Sequence, residues 1–282
     1  MRILAVLLCL WAPAALAEAQ FIGAYQWSFD DPNFGGLSGV AITDNGTRIM
    51  AMSDRAHVFT GTVKRDGDQI TGIGDVQASG LRDEHDRPLR QWLSDSEGLA
   101  LAPDGRFYVS FEGQTQIRAY AGPDAPGIPL PTHPDFAGMQ KNASLESLTI
   151  GPDGALYTLP ERSGRADWPF QVYRYSDGWT TPFSIPRRGS FLPTEADVGP
   201  DGFLYILERD FYGVGFRSRV RRFDLTGGNE VEILESGIGQ FGNLEGLSVW
   251  RDETGAIRLT MISDNNFLEI QRTDIVEYRL TD

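Results

Sequence analysis

Short apolar runs separated by turn residues dominate the chain, and they predict β-strands. Residues 99–102, 107–111 and 116–120 form three such runs, with Pro103-Asp104-Gly105 between the first two. A Pro-Asp-Gly triplet between apolar runs is typical of a hairpin turn, because proline presets φ and glycine supplies a positive φ. The sequence shows no sustained helical period, so we predict an all-β fold.

One short phrase recurs before these turns. Glu97 lies in Ser-Glu-Gly-Leu, Glu146 in Leu-Glu-Ser-Leu, Glu195 in Thr-Glu-Ala and Glu245 in Leu-Glu-Gly-Leu, while Ser38 occupies the place in a degenerate first copy. The glutamates are about 49 residues apart, and a period in this range indicates a solenoid, a propeller or an array. Each repeat contains about four strands, so we predict a single β-propeller of five four-stranded blades.

The ring needs a strand from the other end of the chain. The last repeat has three evident strands, at 245–250, 257–262 and 275–280. An open ring would expose strand edges, so we expect the segment 21–29 to complete the last blade. Six blades remain an alternative, with further strands hidden in 76–94 or 124–142.

The N-terminus predicts export. Arg2, the apolar run 3–11 and Ala15-Leu16-Ala17 together are typical of a secretory signal peptide, which we place at residues 1–17. The mature domain would then span residues 18–282 and would be periplasmic or secreted. No later stretch approaches the ~20 apolar residues of a membrane span. Cys9 lies in the segment to be removed, which excludes disulfides and thiolate chemistry from the mature chain.

The charge balance limits the classes of molecule that the protein could bind. The formal net charge is −14, and it becomes −15 when Arg2 is removed with the signal peptide. Nucleic-acid binding needs a basic surface, so we exclude it as a function. A protein partner remains open. The chain also lacks the histidine spacing of a zinc site and the Gly-x-Ser-x-Gly motif of a serine hydrolase.

The recurring glutamates are the first candidates for function. Glu97, Glu146 and Glu245 hold one register before their turns, so they should face one mouth of the central channel. Unpaired carboxylates at close range repel each other, and a cation, an arginine or shared protons would relieve the repulsion. Calcium suits such a ring of oxygen ligands. Glu195 is one residue nearer its turn, so either a bulge restores its register or Thr194 takes the place.

A second acidic set lies where the second strand of each repeat ends. Its members are Asp54, Glu112, Glu161, Glu208 and Asp264, with neighbours Arg55, Arg162, Arg209 and Asn265. One interpretation is a belt of ion pairs between blades. The other is a metal site whose arginines receive an anionic group, because guanidinium binds carboxylate and phosphate in a bidentate manner.

Several stretches resemble one family. These are Ser53-Asp54-Arg55, residues 159–162, 194–197 and 207–209, and above all the ending from Met261 to Phe267 with residues 271–273 and 278–280. They are similar to the phytase-like domain, titled "esterase-like activity of phytase", from about residue 34 to residue 280. The resemblance implies a β-propeller that hydrolyses ester or phosphoester bonds. The Glu-Gly-Leu phrase also resembles metal-bearing positions of gluconolactonase and paraoxonase propellers.

The resulting hypothesis is a metal-assisted hydrolase of a small anionic ester or phosphoester. The predicted ligands of a divalent cation, taken as Ca²⁺, are Glu97, Glu146, Glu245 and Asp264. The predicted catalytic residues are Asp54, Glu161 and Glu208, and the predicted substrate-binding residues are Arg55, Arg162, Arg209 and Asn265. The alternative is a non-catalytic propeller that binds a ligand or a protein in the bacterial envelope and holds a structural ion or an ion-pair belt.

Overall fold

Within the residues that the structure describes, twenty β-strands form five antiparallel sheets of four strands each. The computed structural model describes residues 18–89, 93–140, 144–268 and 270–281. The predicted signal peptide lies outside these residues. Among the described residues, no helix is long and apolar enough to span a membrane. The all-β propeller with five blades is therefore confirmed.

The strands have the following bounds. Blade 1 contains β2 (Leu37–Thr43), β3 (Arg48–Ser53), β4 (His57–Asp66) and β5 (Gln69–Gly80). Blade 2 contains β6 (Ser96–Leu101), β7 (Phe107–Phe111), β8 (Gln116–Tyr120) and β9 (Ile128–Pro129). Blade 3 contains β10 (Leu145–Ile150), β11 (Leu156–Pro160), β12 (Phe170–Tyr175) and β13 (Trp179–Ile185). Blade 4 contains β14 (Leu192–Val198), β15 (Leu204–Phe211), β16 (Phe216–Phe223) and β17 (Val231–Glu235). Blade 5 contains β18 (Asn243–Arg251), β19 (Ile257–Asp264), β20 (Asp274–Thr281) and β1 (Glu18–Gln26). Short 3₁₀ turns cover Asp44–Gly46 and Pro134–Gly138.

The N-terminal strand closes the ring, as predicted. β1 pairs with β20 in an antiparallel register that runs from Glu18 opposite Thr281 to Gln26 opposite Asp274. A sixth blade was the alternative if further strands were hidden in 76–94 or 124–142. Within the described part of the chain, these two segments form no sixth sheet. The first contributes the end of β5, and the second contributes β9 and a 3₁₀ turn.

The apolar core is divided among the contacts between blades. Five clusters of buried side chains each join two neighbouring blades, for example Met52 and Val58 of blade 1 with Phe107 and Val109 of blade 2. This division follows from the strand period, since alternate side chains of a blade face its two neighbours. The ring is therefore held by five similar interfaces rather than by one central core.

A buried ion network adds to the interface between blades 5 and 1. The Glu277 carboxylate accepts hydrogen bonds from both terminal nitrogens of Arg65, at 2.6 and 2.8 Å, and from Arg258 at 3.0 Å. The Thr260 hydroxyl donates a further bond of 2.8 Å. Every one of these groups comes from a strand of blade 1 or blade 5, so the network joins the two blades where the ring closes.

Glycines let the innermost strands approach each other closely. A Cβ on Gly98 would lie 2.6 Å from the Leu148 amide nitrogen, and one on Gly246 would lie 2.9 Å from the Val40 amide nitrogen. Both distances are too short for a side chain. The glycines in the repeated Glu-Gly-Leu phrase thus set how narrow the channel is.

We predict that Gly98→Ala lowers the free energy of unfolding by about 1–3 kcal/mol, the usual cost of overpacking. Chemical denaturation measures the effect. Gly122→Ala is the matched control, because a Cβ there has no neighbour within 4 Å. Equal stability of the two variants would contradict the close approach of β6 and β10.

Candidate metal centre

A β-bulge interrupts the innermost strand of every blade at the same place. The pairing with the second strand shifts at Leu37/Gly39, Ser96/Leu99, Leu145/Ser147, Pro193/Glu195 and Leu244/Gly246. The bulged residues, which we call the inner ring, are Ser38, Glu97, Glu146, Thr194 and Glu245. Thr194 therefore takes the place in blade 4, which was one of the two alternatives for that repeat.

A second set, the outer ring, follows from the same registers. The residue before each bulge pairs with Ser53, Phe111, Pro160, Glu208 or Ser263 on the second strand. The next residue along that strand belongs to the outer ring, whose members are Asp54, Glu112, Glu161, Arg209 and Asp264. The outer ring thus has four carboxylates and one guanidinium.

The two rings meet around one cavity of about 160 Å³. Its lining consists of the three glutamates of the inner ring, all five members of the outer ring and Asp95. The predicted metal ligands Glu97, Glu146, Glu245 and Asp264 therefore lie together. Asp95 was missed by the sequence analysis, although it lies two residues before Glu97 and so on the same side of an extended chain.

Arg209 is the one positively charged side chain that lines the cavity among the described residues. Its guanidinium pairs with Glu245, lies 3.5 Å from Glu161 and 3.9 Å from Glu146, and donates to Asn243 at 2.9 Å. Burial acts to lower the pKa of Arg209, but the surrounding glutamates outweigh it and hold the pKa above its ordinary value. Arg209 therefore neutralises one side of the cavity and is occupied by protein carboxylates.

Among the described residues, no guanidinium forms an ion pair with Asp95, Glu97 or Glu112. Oxygens of Asp95, Glu97 and Glu112 lie within 4.8 Å of one another. Glu146 is only 6% exposed and lies 3.9 Å from Arg209, but among the described residues no group donates a hydrogen bond to its side chain. An ionised carboxylate in such a place needs a counter-charge. The donor set consists of oxygens alone, which fits a hard divalent cation.

This conflict of like charges appears in the pKa values. Burial is the largest cause, and it raises the pKa of Glu112 to about 7, of Glu245 to about 7 and of Asp54 to about 6. The pKa values of Glu97 and Glu146 are also well above the ordinary value, by burial and then, for Glu97, by Glu146 and Glu245. Without a bound cation, the centre holds protons near neutral pH.

The sequence matches one family over most of its length. The match covers residues 32–267, and the family is described as phytase-like, "esterase-like activity of phytase". The chain belongs to the phytase-like family. The resemblance predicted from its motifs is therefore confirmed. A comparison of the phytase-like chain with curated proteins gives no significant match.

Solved structures share the propeller fold with this phytase-like protein at low identity. The PQQ-bound aldose sugar dehydrogenase of Streptomyces coelicolor is 14% identical, with a TM-score of 0.53 over 96% of this chain and 100% of that chain. The catalytic domain of the GH62 α-L-arabinofuranosidase of Coprinopsis cinerea is 11% identical, with a TM-score of 0.53 over 94% and 98%. A gluconolactonase of Xanthomonas campestris is 16% identical, with a TM-score of 0.48 over 87% and 72%. The first two similarities show the fold alone, and the third is too low to carry an argument.

Glu208 lies away from the cavity of the phytase-like protein. Neighbouring strand residues face opposite ways, so Glu208 points into blade 4 while Arg209 points to the axis. The Glu208 carboxylate is fully buried and accepts bonds of 2.8 Å from both Arg219 and Arg221. The sequence analysis placed Glu208 at the strand end one residue too early. Counting seven residues from the glycines of the three Pro-Asp-Gly turns reaches Glu112, Glu161 and Arg209, and so would have found Arg209 in place of Glu208.

The other predicted substrate-binding residues differ in how many contacts their side chains make within the protein. The Nε atom of exposed Arg162 lies 3.3 Å from Glu161. The Asn265 side-chain oxygen accepts the amide hydrogens of Gly36 at 2.9 Å and Phe267 at 3.1 Å, so it fixes two loops. Exposed Arg55 stacks its guanidinium 3.4 Å from the centre of the Phe267 ring.

Glu195 ties three blades together beneath the cavity. Its carboxylate accepts the amide hydrogens of Leu148 at 2.8 Å, Ala196 at 2.9 Å and Leu99 at 3.1 Å. Leu99 and Leu148 each follow an inner-ring glutamate by two residues. Glu195 is fully buried, and this burial raises its pKa while the three amide donors oppose the rise. The side chain therefore holds the bulges that carry Glu97 and Glu146.

We predict that Glu195→Ala lowers the free energy of unfolding by about 3 kcal/mol or more, because it leaves three buried amide donors unpaired at about 1–3 kcal/mol each. Denaturant titration measures this. The free energy of unfolding of Glu195→Gln should lie between those of Glu195→Ala and the wild type. The glutamine oxygen can still accept hydrogen bonds, while its NH₂ group faces the Leu99 amide, which is also a donor. A Glu195→Ala protein as stable as the wild type would show that this contact is not needed.

We predict that the cation-free protein loses stability as pH rises from 5 to 8. The raised pKa values mean that the folded state binds protons that the unfolded chain has released above about pH 4, so stability falls until the folded pKa near 7 is passed. Calorimetry in a chelator should show the falling melting temperature, and saturating Ca²⁺ should flatten it. Glu112→Gln should reduce the slope, and a melting temperature independent of pH would contradict the assignment.

Proposed function

We propose that this phytase-like protein is a metal-dependent hydrolase of ester or phosphoester bonds whose active site is the acidic cavity. The observation that carries the proposal is the charge imbalance among the described residues, where eight carboxylates and one guanidinium line a cavity of about 160 Å³. A cation held by these carboxylates would relieve the repulsion, and it would supply chemistry that suits the esterase-like activity in the family description.

The ligand set extends the one predicted from the sequence. Asp95, Glu97 and Glu112 form the closest group of oxygens, and Glu146 adds a buried carboxylate without a hydrogen-bond donor. Glu245 and Asp264 complete the lining. Oxygen ligands favour Ca²⁺. Extracellular calcium sites bind the ion with dissociation constants of about 10⁻⁴–10⁻³ M, which suits the high calcium concentration outside cells. When bound, the cation would polarise the oxygen of the scissile group and lower the pKa of a coordinated water.

Asp54 is the proposed general base. Its Oδ1 atom is buried and has no hydrogen-bond partner among the described residues. Burial raises its pKa to about 6, against an opposing effect of Arg55, so at pH 7 it is largely ionised and can take a proton. Glu161, the other candidate, is engaged by Arg162 at 3.3 Å and by Arg209 at 3.5 Å.

The proposed place of action is the periplasm or the exterior of the cell, in line with the predicted signal peptide. The substrate would be a small anionic ester or phosphoester. A non-catalytic role is the second candidate, and one observation favours it. Arg209 of blade 4 pairs with Glu245 of blade 5 and lies near Glu146 and Glu161 of blade 3, so the centre also joins three blades.

We predict that Ca²⁺ raises the melting temperature of dialysed protein, and that 4-nitrophenyl esters or phosphoesters are turned over only with the cation. Glu97→Gln and Glu112→Gln should weaken Ca²⁺ binding in calorimetry. Asp54→Asn should instead lower kcat about 10²-fold with Ca²⁺ affinity nearly unchanged, the usual effect of losing a general base.

Asp104→Asn is the control, because it removes an exposed carboxylate in a turn that lies outside the cavity lining. Turnover that survives Glu97→Gln and Asp54→Asn would remove the mechanism. If the cation stabilises the fold but no substrate is turned over, the hydrolase function fails and the non-catalytic, structural role remains.

A further inference from the structure

A second pocket adjoins the acidic cavity. Its volume is about 690 Å³, and it shares Asp54 and Asp95 with the cavity. The rest of its lining is formed by Asn33, Arg55, His57, Leu89 and Ser94. A molecule held at the cavity can therefore extend into this pocket past the two shared carboxylates.

Arg55 gives this pocket a permanent positive charge. Its guanidinium carbon lies over the Phe267 ring, 3.4 Å from the ring centre, and the residue is exposed. Among the described residues no carboxylate forms an ion pair with it within 4.0 Å, in contrast to Arg209 and Arg162, which do have such partners. Of the three arginines predicted to receive an anion, Arg55 is therefore the one that is exposed, lines this pocket and has no ion-pair partner among the described residues.

The backbone around Arg55 is held in place. A β-bridge pairs Arg55 with Asp95, and the Ala56 amide donates to the Ser53 carbonyl at 3.2 Å and to the Ser96 hydroxyl at 3.0 Å. The Nδ1 atom of His57 lies 2.9 Å from the Arg55 carbonyl oxygen. A carbonyl can only accept, so Nδ1 carries the proton and the ring supports the Arg55 backbone.

We propose that this pocket binds an oxyanion of the substrate, a carboxylate or phosphate that is not itself cleaved, through the guanidinium of Arg55. The inference rests on the proposed function and narrows its substrates to esters that carry such a group beside the scissile bond. The lining is mostly polar, so an apolar group would gain little there. A charged group next to eight carboxylates requires both the cation and Arg55 as counter-charges.

The direct test is anion binding to the Ca²⁺-loaded protein by calorimetry, with acetate and methylphosphonate as separate probes. At least one of them should bind the wild type, and Arg55→Ala should weaken that binding about 10-fold to 100-fold, the worth of hydrogen bonds to a charged group. Arg55→Lys should recover part of it. Arg165→Ala is the control, because Arg165 is exposed and pairs with Asp167. The probe that responds identifies the oxyanion. Failure of both probes to bind, or equal binding by Arg55→Ala, overturns the proposal.

Kinetics separates this proposal from the proposed function. Arg55→Ala should raise the KM for the 4-nitrophenyl monoester of succinate more than the KM for 4-nitrophenyl acetate, which carries no second oxyanion. Because Arg55 also lowers the pKa of the base Asp54, any change in kcat should be the same for both esters. An equal change of KM for both esters overturns the anion-binding role. If neither ester is hydrolysed while anion binding still depends on Arg55, the hydrolase function fails and the anion site remains.

Discussion

Mutual repulsion of carboxylates on a shared axis is the constraint on which this structure depends. A closed ring of similar blades places equivalent residues around one centre, so a residue repeated in several blades meets its own copies. In the described part of the chain, eight carboxylates and one guanidinium line that centre. The remaining excess of negative charge favours a cation over an anion at this centre.

Local backbone geometry turns this constraint into a site. A bulge in each innermost strand turns one residue out of the ladder, and glycines next to the bulges bring the strands close together. The Glu195 carboxylate then gathers the amides that follow two of these bulges. The cavity is therefore fixed by backbone contacts among three blades, and its acidic side chains do not have to hold one another in place.

The repeat made most of the fold predictable from the sequence. A fixed spacing of phrase and turn predicted five blades, and three evident strands in the last repeat predicted the use of the N-terminal strand. The convergence of Glu97, Glu146 and Glu245 followed from the same spacing. The residues at the ends of the second strands were harder to predict, because a shift of one residue reverses the direction of a side chain. The sequence analysis therefore chose Glu208 for the position that Arg209 occupies in the outer ring. Asp95 and the amide-binding role of Glu195 depend on contacts between blades that one repeat does not reveal.

The pairing of β1 with β20 gives the molecule a particular order of assembly. Residues 18–26 join their blade only when residues 274–281 are available, so the earliest part of the domain to be synthesised must wait for the last. Until then blade 5 lacks its outer strand, and the backbone groups along the edge of β20 that pair with β1 are unpaired. The same arrangement places the two ends of the domain on adjacent strands, where they could be joined by a short linker and the chain reopened at one of the exposed Pro-Asp-Gly turns.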